Sequence, residues 1–205
     1  MQFVLLHGSF KGSGENWIPY LKNNLITLGQ PVIVPEFPID DWDKISLAGP
    51  KGISENQKLD KWFDEFEKEV IPQIKSNNKL CFVGYSLGSL FILHLVEKYN
   101  LQLDSAIFIA PFLTKLNTQW QFDTVNKTFY KSDFDFEKIN KLVPVSYTIY
   151  SDNDPFVPRN LMKDFAEKLK SSSIIIKGGK HFTESHGFSS FPLLLELCKT
   201  RINSI

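Results

Sequence analysis

Only two cysteines occur among the 205 residues, Cys81 and Cys198. They stand far apart and in no metal-ligand spacing. A secreted disulfide scaffold is therefore excluded, and two reduced, mostly buried thiols are expected. An excess of charge is missing as well, since 23 Lys+Arg balance 23 Asp+Glu. No basic run is present to grip nucleic acid, and no acidic block marks a disordered tail. No window approaches 18 uncharged apolar residues, so no membrane span is expected. The opening MQFVLLHGSF holds one short apolar run without a positive flank, too little for a secretory signal. A cytoplasmic protein is expected, with neither nucleic acid nor membrane as partner. Phosphate and dinucleotide signatures are absent. There is no GxxxxGK(S/T), and the Gly12–Gly14 pair lacks the third glycine and the downstream acid. His, Asp and Glu do not cluster at metal spacing. No metal and no cofactor is expected.

Apolar material is plentiful: hydrophobic residues make up 42% and aromatic residues 14%, including 18 Phe. That is enough for a packed core in one domain over residues 1–205. Short apolar runs fall at 3–6, 31–34, 80–85, 105–110, 145–150 and 173–177. Most are nearly continuous rather than alternating, as strands are when both sheet faces are covered. Between them, helical periodicity covers 16–28, 58–74, 86–99, 158–170 and 189–201. The alternation predicts an α/β fold, a mainly parallel sheet with helices on both faces. Residues 38–57 and 111–144 break the rhythm and read as long loops, either lining a cleft or inserted at the surface.

The chemistry centres on Gly84-Tyr85-Ser86-Leu87-Gly88, a GxSxG match between a predicted strand and a predicted helix. This is the setting of a nucleophile elbow, where small residues flank a serine on a sharp turn. The competing reading is an ordinary βα turn with Ser86 as helix cap. A serine hydroxyl needs a base and an orienting acid. In this architecture they follow in the order Ser, Asp, His, each past a later strand. Ser151-Asp152-Asn153-Asp154-Pro155 follows the fifth run, and Gly178-Gly179-Lys180-His181-Phe182 follows the sixth. Of four histidines, His181 is favoured as base over His186, which lies further on, near the last helix. His94 sits on an apolar helix and His7 ends the first strand; both read as structural. Asp154 is favoured over Asp152 because Pro-Phe-Val-Pro fixes the chain directly after it. The backbone N–H of Leu87 and that of Ser9 are the expected oxyanion donors, with Phe10 as the alternative to Ser9. Phe10, Trp17, Phe112, Trp120 and Phe156 are the aromatics that either surround the cleft or fill the core.

With these residues in view, the sequence resembles the compact α/β-hydrolase serine hydrolases typified by retinoblastoma-binding protein nine, a family with many bacterial esterase-like members. The resemblance rests on the HG loop with Trp17, VGYSLG at 83–88, Phe134-Asp135-Phe136, SDNDPFVP at 151–158 and GGKHF at 178–182. It implies Ser86 as nucleophile, Asp154 as acid and His181 as base. It also implies a three-layer α/β/α sandwich around a six-stranded parallel sheet of order 2-1-3-4-5-6, without a separate cap domain. Residues 40–57 are longer than the corresponding family loop, and Lys180 replaces the commoner small residue before the histidine. The expected function is hydrolysis of a small carboxylic ester, amide or thioester through an acyl-enzyme on Ser86. The alternative is a hydrolase fold kept as a non-catalytic binding module.

Overall fold

Six short strands form one parallel sheet: β1 (Gln2–Leu6), β2 (Val32–Ile33), β3 (Leu80–Tyr85), β4 (Ser105–Ile109), β5 (Ser146–Ser151) and β6 (Ser172–Ile176). The computed structural model describes residues 1–75 and 78–202. The strand order is β2-β1-β3-β4-β5-β6, as expected, and every neighbouring pair is parallel. β1, β3 and β4 are buried at every residue. Covering on both faces is what made their sequences read as unbroken apolar runs. The edge strand β6 is more exposed and opens on Ser172 and Ser173.

Eight helices accompany the sheet among the described residues. They are α1 (Ile18–Thr27), α2 (Trp42–Ala48), α3 (Leu59–Glu69), α4 (Leu87–Tyr99), α5 (Trp120–Val125), α6 (Phe136–Leu142), α7 (Arg159–Lys168) and α8 (Pro192–Ile202). α1 packs on α8, while α3 and α6 pack on α4, so helices cover both faces of the sheet. α4 is buried continuously from Leu87 to Val96, which marks it as the central helix. The sequence predicted one helix over 58–74, but α3 ends at Glu69 and a 3-10 turn follows at Ile71–Gln73. Pro72 is the reason, since it has no N–H and its ring clashes with the preceding turn.

The expectation of long loops at 38–57 and 111–144 is corrected. The first contains α2, and the second contains α5 and α6. Two of these helices carry side-chain caps. Lys44 N–H donates to Asp41 Oδ1 at 2.9 Å, and Lys138 N–H donates to Asp135 Oδ1 at 2.9 Å. Such caps satisfy amide donors that the first helical turn otherwise leaves unpaired.

Both histidines read as structural are buried. His7 Nδ1–H donates to Gly8 O at 2.9 Å, and its Nε2 accepts from Phe37 N–H at 2.9 Å. His94 Nε2–H donates to Phe129 O at 2.7 Å. Cys81 and Cys198 are buried free thiols, and burial pushes Cys81 up to about 12. Among the described residues, no helix is long and apolar enough to cross a membrane.

Burial lowers the pKa of His7 and His94 below the ordinary value of 6.5. Below that pH the unfolded chain binds protons that the folded chain resists. Stability therefore falls as the pH drops through 6.5, by up to about 1.4 kcal/mol per pH unit for each histidine. Denaturant melts at pH 7.5 and 5.5 should register this loss. His94→Gln keeps a donor for Phe129 and should reduce the slope. An unchanged slope in that variant would contradict a neutral buried His94.

Candidate active site

The chain reverses between β3 and α4 in a single residue. Ser86 has φ 53° and ψ −115°, a conformation that non-glycine residues adopt only when their surroundings enforce it. Hydrogen bonds enforce it here. Ser86 N–H donates to Ile109 O at 2.7 Å, Ser89 N–H to Ser86 O at 3.0 Å, and Ser89 Oγ–H to Gly84 O at 2.7 Å. The flanking glycines are sterically required. A Cβ on Gly88 would lie 2.5 Å from Leu6 O, and one on Gly84 would lie 2.7 Å from Gly88 O. Ser86 thus stands where the carboxyl ends of β1 and β3 meet.

Past β5 and β6, three successive side chains join two loops. Gly178 N–H donates to Asp152 Oδ1 at 2.8 Å, and Lys180 N–H donates to Asn153 Oδ1 at 2.9 Å. His181 Nδ1 lies 2.7 Å from Asp154 Oδ2. Asp154 Oδ1 accepts from Phe156 N–H at 2.8 Å and Val157 N–H at 3.0 Å. The Asp154 side chain is wholly buried. Tyr85 OH, one residue before Ser86, donates to His181 O at 2.6 Å and anchors the histidine loop. Asp152 is committed to Gly178 and exposed. His186 ends a 3-10 turn at Glu184–His186, short of α8, and bonds Thr183 Oγ1 at 2.6 Å.

Ser86 and His181 line one cavity of about 1000 Å³, with no direct hydrogen bond between them among the described residues. Ser9 lines it too. The Phe10 amide is engaged, donating to Gln57 Oε1 at 3.3 Å. The Ser9 and Leu87 amides have no acceptor among the described residues. No group of three or more His, Cys, Asp or Glu among the described residues is arranged to hold a metal.

One wall of the cavity is aromatic, and it divides the five aromatics that could lie at the cleft or in the core. Phe10 and Phe156 line it, but Trp17 and Phe112 are fully buried in the core, and Trp120 is not on the lining. Trp42 of α2 and Phe122 of α5 stand there instead. Their rings form a connected set: Phe10–Trp42 at 5.0 Å, Phe10–Phe122 at 5.4 Å and Phe122–Phe156 at 5.1 Å. Phe156 then meets the His181 ring at 5.2 Å. The lining also has a polar part, with Lys11 paired to Glu15 at 2.8 Å and Glu184 N–H donating to Asn16 Oδ1 at 2.9 Å.

A family model described as serine hydrolase matches residues 43–200. YdeN of Bacillus subtilis strain 168, a protein named as a hydrolase, is 26% identical over 198 residues, covering 96% of this chain and 93% of YdeN. The crystal structure of the ydeN gene product superposes with a TM-score of 0.81 at 24% identity, covering 99% of each chain. Est1E of Butyrivibrio proteoclasticus, solved with ferulic acid bound, gives a TM-score of 0.67 at 15% identity, covering 98% of this chain and 87% of Est1E. The likeness to these structures is one of fold.

Two glycine-to-alanine variants test the steric demand at the turn. Gly88→Ala is expected to cost at least about 1–3 kcal/mol, because its neighbours are backbone atoms that cannot rotate away. Gly14→Ala, with open space around it, should be near neutral. Equal melting temperatures for the two variants would refute the account of the turn.

Proposed function

The chain belongs to the serine hydrolase family, and on that premise we propose that it cleaves a small carboxylic ester through an acyl-enzyme intermediate on Ser86. Amides and thioesters are the alternatives that the same groups serve. The observation that carries this reading is the 2.7 Å contact between His181 Nδ1 and the buried Asp154, at the cavity that Ser86 lines.

A carboxylate only accepts hydrogen bonds, so Asp154 requires the proton on His181 Nδ1. The Nε2 lone pair is then free to act as base. It takes the proton from Ser86 Oγ as the oxygen attacks the carbonyl carbon. His181 and Ser86 share no hydrogen bond among the described residues, and that bond forms as substrate binds. The carbonyl oxygen becomes an oxyanion, which the Leu87 and Ser9 amides hold. His181 returns its proton to the leaving alcohol and the acyl group stays on Ser86. Water repeats the sequence, losing a proton to Nε2, and the acid is released. Asp154 stabilises the imidazolium in both halves. These groups and the strained Ser86 turn together make residues 84–88 a nucleophile elbow.

The cavity points to a substrate with an apolar group beside a polar one. Phe10, Trp42, Phe122 and Phe156 suit an aryl or medium-chain acyl group, and the polar lining of Lys11, Asn16 and Glu184 suits a hydrated leaving group. The aromatic acid held by Est1E is compatible with such a wall.

A fluorophosphonate probe is expected to label the wild type and not Ser86→Ala. Absence of labelling would sink the enzymatic reading and leave a binding module. Asp154→Asn should lose roughly 10⁴ in turnover, while Asp152→Asn stays within a few fold. The reverse order would move the acid to Asp152. Along p-nitrophenyl acetate to hexanoate, kcat/KM should rise roughly threefold to fourfold per methylene, from about 0.8 kcal/mol per buried CH₂. Trp42→Ala should flatten that rise. A profile that peaks at acetate would exclude an apolar acyl site.

A further inference from the structure

The loop after β1 is held by a closed ring of hydrogen bonds among buried groups. Ser9 Oγ–H donates to Asn126 Oδ1 at 2.6 Å, and Gln57 Nε2–H donates to the same oxygen at 2.8 Å. Gln57 Oε1 in turn accepts from Phe10 N–H at 3.3 Å, and Phe10 follows Ser9 in the chain. Gln57 and Asn126 are completely buried. Neither amide can be flipped without setting donor against donor, so the ring has one polarity.

The ring is costly to keep. Asn126 Nδ2 is buried with no well-formed hydrogen bond among the described residues, a penalty that an apolar residue would avoid. Phe10 has φ 61°, in the left-handed region that disfavours its side chain. The bond from Gln57 holds it there. One consequence is that Phe10 N–H is used inside the protein, while the Ser9 N–H keeps no acceptor among the described residues. A second is that Gln57 and Asn126 come from the two long segments between strands. Gln57 is fixed from behind by Asp40, whose Oδ2 accepts its N–H at 3.1 Å and Ser54 Oγ–H at 2.5 Å. Asn126 caps the C-terminal end of α5, which carries Phe122 of the aromatic wall.

We propose that Gln57 and Asn126 are positioning residues that set the Ser9 amide as an oxyanion donor, by pinning the Ser9 hydroxyl on one side and the Phe10 amide on the other. This rests on the ester-hydrolase reading above. Gln57 and Asn126 are fully buried and lie off the cavity lining, so the pair acts by fixing where one N–H points, in a step where small misplacements are expensive.

The test compares Asn126→Leu, Gln57→Leu and Ser9→Ala with wild type, with melting temperatures measured throughout. Ser9→Ala removes one hydroxyl and leaves the backbone amide, so it covers the case in which the leucine variants fail to fold. Each folded variant should lose roughly tenfold to a hundredfold in kcat with KM within about threefold. Affinity for a trifluoromethyl ketone, which forms a tetrahedral oxyanion on Ser86, should fall by the same factor, and Ser9→Thr should regain most of it. A role confined to stability would lower the melting temperature and leave kcat and inhibitor affinity of the folded protein intact, which overturns the proposal. If wild type itself neither turns over esters nor binds the ketone, the ester-hydrolase reading falls and takes this inference with it.

Discussion

The architecture of the site depends on how closely α4 approaches the end of β1. A Cβ at Gly88 would stand 2.5 Å from Leu6 O and 2.6 Å from His7 O, so the helix begins in contact with the backbone of the neighbouring strand. That approach leaves one residue for the turn and forces Ser86 to φ 53°. It also brings the loop after β1 beside the serine, since a Cβ on Gly8 would lie 3.1 Å from Ser86 Cβ. The amides of Ser9 and Leu87, which have no acceptor among the described residues, flank the serine in the chain fold as a result. Strain in the turn is sustained because β1, β3 and β4 are buried throughout and cannot relax locally.

A parallel sheet puts the carboxyl ends of all its strands on one edge, and ligand sites form there. The present sheet uses that edge twice. The β1 and β3 ends supply Ser9 and Ser86, while the β5 and β6 ends supply Asp154 and His181. Tyr85 bridges the two halves through its hydroxyl to His181 O. Its ring also packs on Trp17 at 5.6 Å, so the aromatic residue of the HG loop supports the bridge from the core and does not face the cavity. The segments at 38–57 and 111–144 then close the open side with α2 and α5, whose Trp42 and Phe122 form the aromatic wall.

Legibility in the sequence followed the range over which each feature is determined. Strands were readable because burial on both faces writes itself into consecutive residues. Ser86, Asp154 and His181 stand out as candidates because each lies within five residues of a strand end, and strand ends are local signals. The segments 38–57 and 111–144 were misread as loops. Their helices are six or seven residues long, too short for periodicity to register, and their caps at Asp41 and Asp135 were the available signals. Gln57 and Asn126 were invisible. Their partners lie 47 to 117 residues away, and a buried amide in an unassigned segment resembles any surface amide until the chain is folded. The division of the aromatics between cleft and core was hidden for the same reason, since Trp17 and Phe112 differ from Phe10 and Phe156 only in where the chain turns them.

The sequence Asp152-Asn153-Asp154 shows why an acid cannot be assigned to such a site by residue type alone. The β5–β6 register ends with Ser151 opposite Ile176. Beyond it the ladder continues through side chains: Asp152 takes Gly178 N–H, Asn153 takes Lys180 N–H, and Asp154 takes the His181 ring. The first two bonds deliver the third. They hold a loop in which Lys180 and Phe182 both have positive φ, so that the His181 side chain turns inward. Lys180, the departure from the family pattern, enters this ladder through its backbone amide, which any residue except proline supplies. Asp152 and Asp154 are chemically identical and two positions apart. One is exposed and bonded to backbone, and the other is buried with an imidazole as its partner. Only the second is placed to favour a positive charge on that ring, because it touches the imidazole and its side chain is buried.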